Sequence, residues 1–541
     1  MTAKNLSWVR TAVLMGSLVA TVQAVAPPLR DQILLNGTWP TGGQVPVYEG
    51  INSFATKTYE RSVPVDPSWS GKTIKLDCYG INYYVEVYVD NRHVADNLTP
   101  FGFFSMDLTD YVRPGGAFQL RLQVRGSSEQ PVSNAQGQVL WPIGWGGRHH
   151  GIIDDIYLRA YGGKVAIEDA FVQTSFRNKT IKVDYTLKNY DNVSHTVTVT
   201  GDAVAAPGVT PPGAITVTTS AVTLAAGGTQ TVSVTAPWQN PSLWMPHDPK
   251  LYHMVSRVTE GTTELDRETR RFGFREMWIV GAFFYLNGVR CNFRGENVVW
   301  HEAASRTANP DAWAALVTDF KDTLNFNCFR SHMSPCRQHH LEHCDETGFM
   351  VFDESALYGN SRYISSPHQE FLNNIRGPYT SAWLKGHRNH PSIVIWSAMN
   401  ESWFWNLTVS ERISIGAAMK AVDPTRVVIY DGDGGRWAQF DDDPRTETVS
   451  QHYPEGYQAL PPNTAGAIYD WSWCRNASRR PFYPKPWGSG EFLACCWSGC
   501  PMPGVYYWQG TWVRGLRYQG MAEIRPYKMS WERVIPLLGG I

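Results

Sequence analysis

The chain carries no excess of charge of either sign. Its 48 Lys and Arg stand against 49 Asp and Glu, a formal net charge of −1, and charged residues make up only 18% of it. Binding nucleic acid through its phosphates needs a basic surface, so that class of function is set aside. Cysteine is sparse too. Nine are scattered over 541 residues, an odd number that defines no disulfide framework, although Cys495, Cys496 and Cys500 are nearby candidates for a bridge in an oxidising compartment. After the N-terminal segment no stretch is long and apolar enough for a transmembrane helix, so no membrane span is expected. No glycine-rich phosphate turn follows an early strand, which argues against a doubly wound nucleotide-binding sheet.

Aromatic residues, in contrast, are plentiful: 13% of the chain, including 22 Trp. Planar rings suit the apolar faces of sugars, and equally they fill large aromatic cores. The length allows roughly two to four domains with sizeable cores. At the N-terminus Lys4 and Arg10 precede a short apolar segment, residues 11–22, and small residues follow at Ala24 and Ala26. That is the pattern of a cleaved export signal over residues 1–26, so the mature protein is expected to be soluble and secreted or periplasmic.

Residues 27–162 read as a β-domain. Val85, Val87 and Val89 alternate with polar neighbours before an Asp90-Asn91 turn, and Leu120, Leu122 and Val124 repeat the pattern, as in a sandwich or jelly roll. Residues 163–273 form a second β block with Thr/Val alternation at 196–200 and 229–235, which suggests an immunoglobulin-like sandwich. Neither block holds a catalytic cluster. From about residue 274 apolar strands alternate with helical segments, the pattern of a parallel α/β architecture. Candidate strands are 289–294, 327–332, 349–353, 393–399, 426–430, 448–453, 486–491 and 505–509, eight in all, which fits a (β/α)8 barrel over 274–541. Within it Cys336, His339, His340, His343 and Cys344 are potential zinc ligands. Their spacing between Pro335 and Gly348 is also helical, and the helix is the favoured reading.

The stretch 391–403 organises this unit. Ile393, Val394, Ile395 and Trp396 form an apolar run after Pro391, a strand buried on both faces that ends on Asn400 and Glu401. Such a pair either caps the next helix or, at the carboxyl end of a barrel strand, belongs to an active face. Glu491 ends the seventh candidate strand. Two carboxylates facing one cavity are what glycoside hydrolysis needs, and roughly 5–5.5 Å between them defines a retaining enzyme. Proximity of like charges would let one hold a proton near neutral pH. The adjacent Asp353 and Glu354 point to opposite faces of their strand, so they cannot both address one bond and are read as structural or substrate-lining.

Taken together, Arg388-Asn389-His390-Pro391-Ser392 leading to Asn400-Glu401, Arg271-Phe272-Gly273-Phe274-Arg275, Leu286-Asn287-Gly288, Arg294-Gly295-Glu296-Asn297, Cys344-Asp345-Glu346-Thr347-Gly348 and Gly151-Ile152-Ile153-Asp154-Asp155 resemble glycoside hydrolase family 2, the β-galactosidase, β-mannosidase and β-glucuronidase group. The resemblance implies a jelly-roll sugar-binding-like domain, an immunoglobulin-like domain and a TIM barrel. It implies Glu401 as general acid/base and Asn400 as a partner of the sugar 2-hydroxyl. Glu491, in Trp487-Gly488-Ser489-Gly490-Glu491-Phe492, would be the nucleophile, with Arg330 holding its carboxylate ionised and Tyr453 in contact with it. His332 would line the sugar site and Trp508 would form its apolar wall. The sequence departs from the family where Arg330-Ser331-His332 are contiguous, and it shows no Asn-x-Lys signature for a glucuronate carboxylate. Arg330 and His332 have a bland alternative, the satisfaction of core carboxylates, and Trp508 likewise has ordinary packing. The expectation is a retaining exo-β-glycosidase acting on a carbohydrate substrate, galactoside first, with β-mannosidase or another β-glycosidase of the same family, or a non-catalytic glycan-binding relative, as rivals. No organic cofactor is implied, no ligand set demonstrates a cation beside the acid/base, and a homo-oligomer is left open.

Overall fold

The computed structural model describes residues 29–47, 56–125, 132–133, 139–140, 151–206, 215–280, 283–291, 293–298, 309–323, 326–331, 334–357, 368–400, 408–429, 449–452, 466–469 and 492–493. Two antiparallel sheets of four strands open the chain. One runs in the order Arg30–Leu34, Ile156–Tyr161, Thr73–Cys78, Phe104–Asp107, and the other Thr56–Pro64, Ala117–Arg125, Tyr84–Val89, Arg92–Asn97. Alternation along Ala117–Arg125 turns Phe118, Leu120, Leu122 and Val124 inward. These side chains meet Leu76, Ile156 and Leu158 of the facing sheet, with Trp39 and Trp69, in one core.

A second sandwich follows. Val165–Ser175, Thr180–Asn189 and Thr229–Pro237 form one sheet. His195–Ala205, paired with Ile215–Thr218, Val222–Leu224 and Tyr252–Glu260, and then Thr263–Phe272, form the other. Ile181, Val183, Tyr185 and Leu187 face inward from alternate positions. Trp238 packs edge-on against Tyr252 and Phe274 to close the core.

The third unit is built on a six-stranded parallel sheet in the order Val427–Ile429, Ile393–Ser397, Met350–Glu354, Cys328–Ser331, Phe293–Val298, Phe492–Leu493. Helices Pro310–Thr318, Gln338–Thr347, Thr380–His387 and Val409–Val422 cover one face. There Phe329, Val351 and Trp396 pack on Trp313, Leu341 and Trp383. On the other face Cys328, Met350, Phe352 and Val394 pack with Phe284 and Leu286. Burial on both faces is why these strands read as unbroken apolar runs.

Two strand expectations need correction. Residues 289–294 are not one strand. Val289–Cys291 pairs back antiparallel to Phe283–Leu286, and the first parallel strand is Phe293–Val298. The cause is a two-residue hairpin loop, Asn287-Gly288, with φ of 51° and 82°, the left-handed pair that a type I′ turn requires. The sixth expected strand does form, over Val449–His452, but among the described residues it pairs with Gly466–Tyr469, not with the sheet. The expected strands 486–491 and 505–509 lie outside the described residues.

The units are tied by buried and half-buried polar contacts. Asn389 accepts from Val172 N at 3.0 Å and donates to Ala170 O at 2.9 Å, and Arg388 pairs with Asp169. Arg275 donates to Pro391 O at 3.0 Å and Ile393 O at 2.6 Å. The stretch before the fourth strand therefore docks that strand onto the second sandwich. On the first sandwich, Asp154 accepts from Gln338 N at 2.7 Å, at the start of helix Gln338–Thr347. Burial first, then the charge of Asp155, push its carboxyl up to about 7. That value lies above the roughly 3.9 of an unfolded Asp, so folded Asp154 keeps its proton where the unfolded chain has lost it. Its contribution to stability is complete below about pH 4 and is lost as pH rises through about 7. Asp154→Asn is expected to flatten the fall in thermal midpoint across that window. A slope identical to the native protein's would show that Asp154 does not titrate there.

Candidate active site

Three neighbouring strands bring polar side chains to the carboxyl edge of the parallel sheet. Residues two apart share a face, so Arg330 follows Cys328, and Glu354 follows Met350 and Phe352, onto the face away from the helices. Both Arg330 and Glu354 have 0% exposure. Arg330 Nε donates to Glu354 Oε2 at 2.6 Å, and its Nη2 donates to Asn400 Oδ1 at 2.7 Å. Ser397 Oγ donates to the same Glu354 oxygen at 2.5 Å. One guanidinium thus clamps a carboxylate from the third strand and an amide that follows the fourth, the task its rigid fork suits. Asn400 is also held by its own backbone, whose N–H donates to Leu357 O at 2.8 Å.

This contact fixes the amide's polarity. Arginine has no acceptor, so the Asn400 atom facing it must be Oδ1. The other end is the Nδ2 donor, the polarity that a hydroxyl oxygen would meet.

Asp353 turns the other way. Its carboxylate accepts from His387 Nδ1 at 2.7 Å, Trp383 Nε1 at 2.8 Å, Cys336 N at 2.8 Å and Ser331 Oγ at 3.1 Å. Burial alone would raise its pKa, but the charge of His387 and these donors outweigh that and hold it below the usual carboxylate range. Asp353 secures the helix layer to the sheet, and Glu354 addresses the edge. The two adjacent carboxylates serve different faces.

His339, His340, His343 and Cys344 of the Cys/His-rich segment lie on a helix, Gln338–Thr347, closed by Gly348 at φ 72°, and Cys336 precedes it. His340 packs tilted against Trp313 with ring centroids 4.6 Å apart, and its Nδ1 accepts from Arg337 N at 3.1 Å. Burial pushes the Cys336 and Cys344 thiols well up, so they behave as packing groups. Among the described residues no group of three His, Cys, Asp or Glu side chains is placed to hold a metal ion.

Of the residues expected at the site, Arg330 and Asn400 are brought into contact. His332, Glu401, Tyr453, Glu491 and Trp508 lie outside the described residues. The two residues after Glu491, Phe492–Leu493, pair in parallel with Phe293 and Arg294, at the amino end of the first strand. Ser397 was not anticipated as a member of the cluster. Its signal is that it is the first polar residue after the apolar run Ile393–Trp396.

Two sandwiches leading into a parallel α/β unit, with a buried polar cluster at the strand ends, is an architecture of modular carbohydrate-active enzymes. The family description "Glycosyl hydrolases family 2" matches residues 165–275, and "Glycosyl hydrolases family 2, TIM barrel domain" matches residues 278–463, together more than half of the chain. The chain belongs to glycoside hydrolase family 2. It is 25% identical over 393 residues to a β-galactosidase of Halalkalibacterium halodurans, covering 69% of this chain and 36% of that protein. It is 27% identical over 428 residues to a β-galactosidase of Enterobacter cloacae, covering 76% of this chain and 39% of that protein. The chain thus spans well under half the length of these curated relatives. In fold it is similar to the crystal structure of a family 2 β-galacturonidase from Eisenbergiella tayi bound to galacturonate, with a TM-score of 0.68 and 17% identity over 93% of this chain and 98% of that one.

Proposed function

We propose that the chain is a retaining, exo-acting β-glycosidase that hydrolyses O-glycosidic bonds of β-linked glycans, with β-galactosides as its leading substrates. The observation that carries the reading is the Arg330–Asn400 hydrogen bond at the carboxyl edge of the sheet. It orients the amide immediately before Glu401 with its donor end available to a sugar hydroxyl. In this reading Glu401 protonates the leaving oxygen and later activates water, and Glu491 forms the glycosyl-enzyme. The assignment of Glu491 rests on its sequence context. The pairing of Phe492–Leu493 with the amino end of the first strand lends it no support. His332, Tyr453 and Trp508 complete the sugar site in the same reading. The three units correspond to a jelly roll, an immunoglobulin-like domain and a closed (β/α)8 barrel, and the N-terminal segment directs a secreted or periplasmic protein.

The galactoside preference is supported by the curated β-galactosidases at 25% and 27% identity. The E. tayi neighbour bound to galacturonate adds the C6-oxidised form of the same sugar as a second candidate. The deciding experiment is turnover of aryl β-galactoside, β-galacturonide, β-mannoside and β-glucuronide. Hydrolysis of the galactoside with retained configuration is expected. Preference for another sugar replaces the substrate. Silence across the panel by a folded protein that still binds glycans replaces the enzyme by a binding relative.

A further inference from the structure

We infer that Asn178 and Asn192 are N-glycosylation sites, each taking an oligosaccharide from a polyprenyl-diphosphate donor. Both begin an Asn-x-Ser/Thr triplet, Asn178-Lys179-Thr180 and Asn192-Val193-Ser194, the acceptor pattern of exported chains. In the transfer the carboxamide Nδ2 bonds to C1 of the first sugar and gives up one proton. The bond from C1 to the diphosphate oxygen breaks, and polyprenyl diphosphate leaves. Glycosylation rests on export, the role proposed for the N-terminal segment, because donor and transferase belong to the secretory route.

The triplet alone is a weak signal. It recurs at Asn36, Asn97 and Asn400, and outside the described residues at Asn5, Asn406 and Asn476. The fold separates the described ones. Asn36 Nδ2 donates to Asp155 Oδ1 at 2.7 Å, and its Oδ1 accepts from Ile156 N at 3.3 Å. Asn400 is 1% exposed, and Arg330 holds its Oδ1. An oligosaccharide on either would need room that packed protein already fills. Asn97 is half-buried at the end of strand Arg92–Asn97, and its Nδ2 donates to Thr99 Oγ1 at 2.7 Å.

Asn178 and Asn192 stand clear. Both are exposed. Asn178 lies in the loop between strands Val165–Ser175 and Thr180–Asn189, where Lys179 takes φ 51°. The Glu276 carboxylate fixes that loop, accepting from Arg177 N at 2.9 Å, Arg177 Nη2 at 2.6 Å and Ser175 Oγ at 3.1 Å. Asn178 N donates to Ser175 Oγ at 3.1 Å, and Asn192 N to Asp191 Oδ1 at 2.8 Å. Among the described residues neither carboxamide has a hydrogen-bond partner, nor does the Thr180 or Ser194 hydroxyl that completes each triplet. The backbone is held and the reacting group is left to solvent. The two acceptors flank strand Thr180–Asn189, roughly 30 Å apart along it, so the glycans leave from opposite ends of the second sandwich. Neither lies at the sheet edge where Arg330 meets Asn400, and turnover should not depend on them.

The test is site mapping of the full chain secreted by eukaryotic host cells, once with its own N-terminal segment and once behind the host's own export signal. Enzymatic release of N-glycans in heavy-oxygen water turns each occupied Asn into labelled Asp. Label is expected on Asn178 and Asn192, with Asn36 and Asn400 unlabelled. Thr180→Ala should remove the Asn178 label alone and Ser194→Ala the Asn192 label alone. Thr180→Ser and Ser194→Thr keep the hydroxyl and should keep the label. Label that appears only behind the host signal supports the sites and overturns the export reading. An unlabelled Asn178 or Asn192 in protein secreted behind the host signal would overturn that assignment, and label on Asn36 or Asn400 of the folded protein would overturn the selection by burial. The mapping needs no turnover, so this inference and the hydrolase reading fail separately.

Discussion

Arg330→Met is expected to lose stability and turnover together. The guanidinium and the Glu354 carboxylate are both fully buried and 2.6 Å apart. Removing one partner leaves the other as an uncompensated charge in a dry setting, at a cost of about 3–5 kcal/mol. That is a large part of the margin on which a domain stands. The thermal or urea midpoint of the third unit should fall accordingly. Replacing both partners with apolar groups, Arg330→Met with Glu354→Leu, removes the stranded charge and should restore most of the midpoint. Turnover should not return with it. Without the donor on its Oδ1, Asn400 is free to rotate its amide, and the polarity of the group beside Glu401 is no longer fixed. The double variant therefore separates the two roles of the cluster. A stable, fully active double variant would reduce Arg330 to a core ion pair with no bearing on the site.

What the sequence made legible were the local periodicities. Alternation in Thr180–Asn189 and in Ala117–Arg125 carries the burial pattern of each strand directly, and the unbroken run Ile393–Trp396 announces a strand covered on both sides. The Asn287-Gly288 turn was equally available as a signal, but the stretch just after it, residues 289–294, reads as one strand, whereas its first half closes the hairpin and its second half opens the parallel sheet. The partners of polar residues were far less legible. Arg330 meets a carboxylate 24 residues away and an amide 70 residues away, pairings set by strand order and not by spacing. The same limit applies to Arg388 and Asn389. They sit just before the strand that leads to Asn400, yet their contacts are with Asp169, Ala170 and Val172 of the second sandwich. The force of that motif is therefore largely architectural: it sets where the fourth strand begins, and so where Asn400 ends up.

Glu401→Gln and Glu491→Gln should each abolish hydrolysis of a poorly activated β-galactoside, and they should differ in how activity is recovered. If Glu401 is the acid/base, its loss costs about 10²–10⁴-fold with a poor leaving group, the usual reach of positioned proton transfer. A dinitrophenolate leaving group needs no protonation, so the first step should survive and the glycosyl-enzyme should accumulate, because water lacks its base. Azide needs no base. It should release that intermediate as the β-glycosyl azide, two displacements having preserved the configuration. If Glu491 is the nucleophile, Glu491→Gln forms no intermediate with any leaving group, and azide attacks the substrate once, giving the α-glycosyl azide. The configuration of the azide product thus assigns each glutamate independently of rate. The same result resolves the geometry around Glu491, since an α-azide from Glu491→Gln requires that carboxylate to reach the edge where Arg330 holds Asn400. Unimpaired hydrolysis by Glu491→Gln would move the nucleophile to another carboxylate. Glu354, already at that edge, would be the first to substitute.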